Sequence, residues 1–379
     1  MTFRDQAAHN GHSDRQSSIA CTIDLVYAIF SARSSEIAEV IHCMRQKRIG
    51  EMPLIVCAID SDVLRSVKYG ASNGRRALYD ARRASYDASV VQALERIGCR
   101  FELVGVKDRF SRSLREIEAL NPDLVFNLAL SATPSESAFV NGLTSRELAY
   151  TGSGSSAIAA TNDKIRMRRL LKKFNIPIPK YSVFYLKRRP GFLGGTSPHI
   201  VKPAKFGATS NGIKPSSMVW TYEQACKQAN RIATTMGVPA ICDEFIIGRE
   251  FHVGLVERRG TLSVTAVAEL KFMNAPAGFG FKSELTTKGS KQQRYYKVEQ
   301  VLVDSPGKSI SAIAKIAQRA ASCVGVRGYA KVDIRVDRDG RPFVLEVNTN
   351  PGLWSGMPIW SRPSFEENIS SIVRAALSR

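Results

Sequence analysis

Apolar residues recur along this chain in two rhythms. Early on, short continuous apolar runs at Ile23–Ile29, Met52–Ile59, Phe101–Val106 and Leu124–Leu130 alternate with stretches of helical period, Ser35–Arg48 and Tyr86–Ile97. Continuous apolar strands separated by helices predict a parallel α/β sheet covered on both faces. This first unit should close near Tyr150-Thr-Gly152. Two helical stretches, a strand over Tyr181–Leu186 and a Pro/Gly-rich link at Arg189–Pro198 follow. From residue 199 onward, paired strands with helices at Tyr222–Thr235, Ser309–Val324 and Ser364–Leu377 predict an antiparallel α+β arrangement. The glycine- and lysine-rich segment Asn274–Lys297 predicts a long mobile loop. No internal repeat is visible.

One hairpin carries most of the chemistry. Lys331–Val336 and Arg341–Asn348 read as its strands, joined through Asp337-Arg-Asp-Gly340. A two-residue Asp339-Gly340 turn is a strong hairpin signal. Counting back from it sets Asp333 opposite Glu346 and Lys331 opposite Asn348, all on one face. Two carboxylates placed directly across a hairpin repel unless a cation lies between them. Oxygen donors from Asp, Glu and Asn suit Mg²⁺ or Mn²⁺, and Mg²⁺ is usually held by a few carboxylates plus substrate phosphates. The alternative is a solvated face whose acids pair with Arg335 or Lys331. Asn348-Thr-Asn-Pro-Gly352 then ends the strand in a turn where its polar face would close around a ligand.

Composition narrows the classes. The 379 residues suffice for two or three domains, and 44% hydrophobic content without a long apolar run predicts a soluble globular chain with no membrane span. The first twenty residues are polar, lack an apolar signal core and read as a disordered tail, so a cytoplasmic location is expected. Seven scattered cysteines without a CxxC pair argue against disulfides and zinc alike. The five histidines show no metal-ligand spacing, and His199 and His252 read as ordinary structural residues. The net charge of +20 is spread out and not interleaved with aromatics, so a solvated basic surface is favoured over nucleic-acid binding.

Three segments resemble phosphate-binding loops. Pro306-Gly-Lys-Ser309 fails as a Walker A motif because Leu302 stands where its first glycine belongs. Gly152-Ser-Gly-Ser-Ser-Ala157 lacks the acidic residue of a dinucleotide fold and reads better as a flexible junction. His199-Ile-Val-Lys202 followed by small residues through Gly212-Ile213 fits best. Small side chains let backbone N–H groups approach phosphate, and a strand-borne lysine adds a point charge.

Four segments together resemble the ATP-grasp superfamily, and within it the D-alanine–D-alanine ligase-like family: Ala160–Lys164, Val201–Ile213, Cys242–Glu250, and Lys331–Asp333 with Leu345–Gly352. Asn121–Asn127 and Tyr150–Gly154 are similar to first-domain landmarks, so the likeness runs in order over residues 120–379. It implies a disordered tail (1–20), an N-terminal α/β domain (21–152), a central lobe (153–250) and a C-terminal lobe with the metal site (251–379), the two α+β lobes sandwiching ATP. By this resemblance Lys164 and Lys202 meet the phosphates, and the loop of Gly207, Ala208, Thr209 and Ser210 folds over them. Glu244, Phe245, Ile246 and Ile247 form the adenine hinge, and Glu250 takes the ribose hydroxyls. Asp333, Glu346 and Asn348 hold two Mg²⁺ ions, with Mn²⁺ as an alternative. Lys331 stands where the family carries an arginine at the developing oxyanion. Lys288, with Lys282 the next choice, matches a further family lysine, and Ser355 is the candidate contact to the second substrate.

The implied activity is an ADP-forming carboxylate–amine ligation through an acyl phosphate, with small-molecule acid and amine partners, no membrane partner and, by analogy, a homodimer. The Lys331 exchange and a first domain lacking the family's glycine-rich acidic segment after Asn127 point away from D-alanine itself. Two other readings stand beside this one: a ligase of a specialised metabolite, and a non-catalytic protein that binds ATP or nucleic acid.

Overall fold

The computed structural model describes residues 53–64, 75–129, 133–185, 197–205, 212–275, 278–283, 297–304 and 307–379, with side chains omitted for 75–84 and 308. The expected strand at Ile23–Ile29, the helix at Ser35–Arg48 and the tail at 1–20 lie outside them. So do Gly207, Ala208, Thr209, Ser210 and Lys288, along with most of the 274–297 segment and of the Arg189–Pro198 link.

The first unit has the parallel sheet that its apolar runs predict. Strands β1 (Leu54–Asp60), β2 (Arg100–Val106) and β3 (Leu124–Asn127) pair in parallel in the order β2-β1-β3. Helices α1 (Arg75–Arg96), α2 (Ser111–Ala119) and α3 (Glu136–Thr144) accompany them. Leu114, Ile117, Phe139 and Leu143 from α2 and α3 pack on Val56, Val104 and Val125. Sequence periodicity missed α2 and α3, each only nine residues long. The Gly152 segment expected as a flexible junction is packed instead. Thr151 and Ser153 are buried, and the backbones of Gly152 and Gly328, both at positive φ, lie so close that a Cβ on Gly328 would come within 3.0 Å of the Gly152 nitrogen.

Helices α4 (Ser155–Thr161) and α5 (Lys164–Lys173) lead into an antiparallel four-stranded sheet. Its strands β4 (Tyr181–Phe184), β5 (His199–Pro203), β6 (Met218–Val219) and β7 (Ala240–Glu244) run in the order β4-β7-β5-β6. Helix α6 (Tyr222–Met236) starts on a Thr221 capping box, ends at Gly237 in the left-handed conformation, and packs Ala225, Ala229 and Ile232 against Val201, Ala240 and Cys242. That covers one face of the sheet. Lys202 and Asp243 emerge near the other, toward α5.

Strands β8 (Gly248–Arg258), β9 (Thr261–Met273), β10 (Lys297–Leu302), β11 (Tyr329–Asp337) and β12 (Pro342–Asn348) form the third sheet, in the antiparallel order β10-β9-β8-β11-β12. Strict alternation divides its faces. Phe251, Val253 and Leu255 of β8 and Val332, Ile334 and Val336 of β11 join the core under helix α7 (Lys308–Cys323). The intervening Glu250, His252, Lys331, Asp333 and Arg335 therefore turn to the opposite face. Helix α8 (Phe365–Leu377), capped by Ser364, lies against β8 and α1.

The β11–β12 register corrects the sequence reading in an instructive way. Asp333 does pair with Glu346 and Lys331 with Asn348, but the turn is one residue longer than expected. The Asp337 N–H donates to the Arg341 carbonyl at 3.0 Å, so residues 338–340 form a three-residue loop with Gly340 at φ +83°. The Asp337 carboxylate fixes it by accepting from the N–H groups of Asp339 and Arg341 at 3.0 and 2.8 Å. A bulge restores the count: Ile334 pairs with Val344 while Asp333 pairs with Glu346, which leaves Leu345 as the extra residue.

Candidate active site

One cavity of about 600 Å³ opens between the two antiparallel sheets, with Tyr86 of α1 at its edge. Lys164 begins α5 directly after Asp163, whose carboxylate caps the helix by accepting from the N–H groups of Ile165 and Arg166 at 3.0 Å. That cap aims the Lys164 ammonium across the cleft, where it donates to Glu346 Oε1 at 2.9 Å. On β11 the Lys331 Nζ contacts both Asp333 oxygens, at 2.5 and 2.8 Å. Each carboxylate of the facing pair is thus neutralised by its own lysine. Asn348, one alternation beyond Glu346, lines the same wall.

A buried ionic triad adjoins this wall, its Lys202 and Asp243 also lining the cavity. Arg168, fully enclosed, donates to Asp243 Oδ2 at 2.7 Å and to the Val344 carbonyl at 2.6 Å, tying the central sheet to β12. Lys202 Nζ reaches the same Asp243 oxygen at 2.8 Å. Burial alone would raise the Asp243 carboxyl, but Arg168 and Lys202 hold it below its ordinary value. Burial lowers the Lys202 ammonium, with Asp243 opposing the fall.

At the hinge, Glu244, Phe245 and Ile246 line the cavity, whereas Ile247 does not. Phe245 is stacked on Phe279 and carries the Arg335 guanidinium 4.4 Å over its ring. Arg335 also pairs with Glu250 at 3.2 Å and donates to the carbonyls of Gly278 and Gly280, at 3.0 and 2.8 Å. It thereby pins the segment carrying Phe281 and Lys282 over the cavity. Burial pushes the Glu250 carboxyl up, with Arg335 opposing.

Of the two lysines considered for the loop, Lys282 faces the site, its Nζ 3.2 Å from His252 Nε2. Burial and the neighbouring Lys331 charge pull its ammonium down to about 8. His252, which sequence reasoning set aside as structural, is wholly buried and lies 3.7 Å from Asp333 Oδ1. Burial and the two lysines push its pKa well below the ordinary imidazole value. The signal was present in β8, where Glu250 and His252 alternate with apolar Phe251 and Val253. Ser355 is exposed and absent from the cavity lining, which its neighbours Trp354 and Gly356 join.

The donor set fits a hard divalent ion. Two carboxylates and one amide converge, and among the described residues no third His, Cys, Asp or Glu completes a cage. Mg²⁺ favours such a partial site because substrate phosphates and water fill the remaining positions.

Known proteins resemble this chain in sequence and in fold. The family described as D-ala D-ala ligase C-terminus matches residues 170–358. The chain is 30% identical over 293 residues to the D-alanine–D-alanine ligase of Bordetella petrii, covering 73% of this chain and 82% of that protein. It is 30% identical over 254 residues to the same-named enzyme of Delftia acidovorans, covering 65% and 72%. Among solved structures, the D-alanine–D-alanine ligase of Bacillus anthracis complexed with ATP superposes with a TM-score of 0.63 at 15% identity, over 86% of this chain and 98% of that one. The D-alanine–D-alanine ligase of Coxiella burnetii does so at 0.61 and 15%, over 87% and 96%.

Proposed function

The chain belongs to the D-alanine–D-alanine ligase family, ATP-dependent enzymes that form a carbon–nitrogen bond and release ADP, and from that premise we propose how its residues divide the work. The observation that carries the proposal is the meeting, in one cavity, of Lys164 and Lys202 from one side with the Asp333–Glu346 pair from the other. ATP lies between the two sheets, its adenine at Glu244, Phe245 and Ile246, its ribose at Glu250 and its phosphates at Lys164 and Lys202. Asp333, Glu346 and Asn348 would hold two Mg²⁺ ions, or Mn²⁺ in their place, which when bound would supply positive charge to the transferring phosphoryl group.

In turnover Lys164 and Lys331 would exchange the carboxylates they now neutralise for groups of the substrates. Lys164 turns to the phosphates. Lys331 becomes a donor to the oxyanion that forms at the acyl carbon, as a single ammonium without the two-pronged geometry of arginine. An oxygen of the acid substrate attacks the γ-phosphorus and ADP departs. The amine then attacks the resulting acyl phosphate, and inorganic phosphate leaves. The organic substrates are small molecules other than standard D-alanine, and the need for ATP accords with a cytoplasmic enzyme.

The test is ADP release from ATP and Mg²⁺ across a panel of amino acids. Substrate-dependent release is expected, falling by about 10³-fold or more in Asp333→Asn with Glu346→Gln. An absence of turnover across the whole panel would overturn the ligase reading.

A further inference from the structure

We propose that Trp354 and Tyr86 form a subsite that selects an organic substrate bearing an apolar group of aromatic size; this rests on the ligase reading above. The two rings come from distant parts of the chain, α1 and the loop after β12, and meet at the cavity with centroids 5.2 Å apart and planes inclined at 33°. Trp354 remains 38% exposed although both of its flanks are anchored. Leu353, Ile359 and Trp360 are buried, and the Trp360 indole N–H donates to the Gly352 carbonyl at 3.0 Å.

Two glycines make the seat. A Cβ on Gly356 would come within 2.6 Å of Trp354 Cζ2, so only glycine lets the indole lie over that turn. A Cβ on Gly254 would come within 2.6 Å of the Ile359 carbonyl, so the glycine lets the anchor approach β8. An indole held against Tyr86 and over the Gly356 turn, yet still half-open, gives up conformational freedom without completing its burial.

The chemistry of the loop agrees. Gly352-Leu-Trp-Ser-Gly-Met-Pro358 contains no charged residue, and the side chains it adds to the cavity are those of Trp354, Met357 and Pro358. Such a wall has no cation with which to grip a carboxylate. It rewards apolar area, and a methyl side chain would leave most of the two rings uncovered.

The experiment compares D- and L-alanine, leucine and phenylalanine as probes. It measures ADP release with ATP and Mg²⁺, and binding to the ADP-loaded protein by calorimetry. Phenylalanine or leucine is expected to exceed alanine of the same configuration by about tenfold or more in kcat/KM and in affinity. Trp354→Ala and Tyr86→Ala should each collapse that ratio toward unity, while Trp354→Phe should retain most of it. Because the readout is a ratio between substrates, general damage to the fold cancels. Aromatic preference in binding that depends on Trp354, without ADP release, would overturn the ligase reading and leave the subsite standing. Equal binding of alanine and phenylalanine, or a preference that survives both alanine variants, would overturn the subsite.

Discussion

Arg168 shows how much a single side chain can carry. It is fully buried, its guanidinium joins Asp243 to the Val344 carbonyl, and the positions it links are 75 and 176 residues away in sequence. Without it Asp243 keeps Lys202 as its remaining cation, but the Val344 carbonyl and one contact to Asp243 lose a buried charged donor, which typically costs about 1–3 kcal/mol. Arg168→Met is therefore expected to lower unfolding stability by about 1–3 kcal/mol in urea at neutral pH. The pH dependence follows from Asp243. Its folded-state pKa lies below the ordinary value of 3.8, so its contribution is present above that value and lost as pH falls through the folded pKa. The stability gap between wild type and Arg168→Met should accordingly narrow in acid, and a gap that widened would refute the assignment.

Among the elements, the β11–β12 hairpin decides the site because it sets which side chains share a face. The alternation of Val332, Ile334 and Val336 with Lys331, Asp333 and Arg335 is written in the sequence, as is the glycine of the turn. The three-residue loop and the bulge at Leu345 are not, because either feature alone would shift the register by one residue, and only their combination returns Glu346 to Asp333. Gly340 offers a clean test of the loop. A Cβ there would meet nothing within 4 Å, so any penalty is the backbone cost of its φ of +83°. Gly340→Ala should lose about 1 kcal/mol in urea unfolding with unchanged Mg²⁺–ATP affinity. A loss of affinity would mean that the turn, rather than the pairing beyond the bulge, holds the carboxylates.

At the scale of the whole molecule, the +20 charge stands in contrast to a cavity where lysines and carboxylates are nearly balanced. Among the described residues no helix is long and apolar enough to cross a membrane. A dispersed basic surface should hold nucleic acid only through counterion release. Duplex and single-stranded DNA binding is therefore expected to vanish by about 200 mM salt in a titration. Tight binding that persisted there would revive the nucleic-acid reading.

The sequence by itself determined the period-two alternation of β11, the parallel character of the first sheet and the lysine near the end of β5, while the opposition of Asp333 and Glu346 came out as expected because the longer turn and the bulge cancel. These are local: a strand's alternation and a hairpin's pairing depend on residues a few positions apart. Sequence did not reveal Asp243 as the anchor of the central sheet, His252 beside Lys282, or Trp354 rather than Ser355 at the cavity. Only the tertiary structure decided that Lys164 would meet Glu346 across 182 residues, or that Tyr86 would meet Trp354. Such contacts arise from how two sheets and a helix pack on separate cores, and no local pattern encodes which polar faces the packing will bring together.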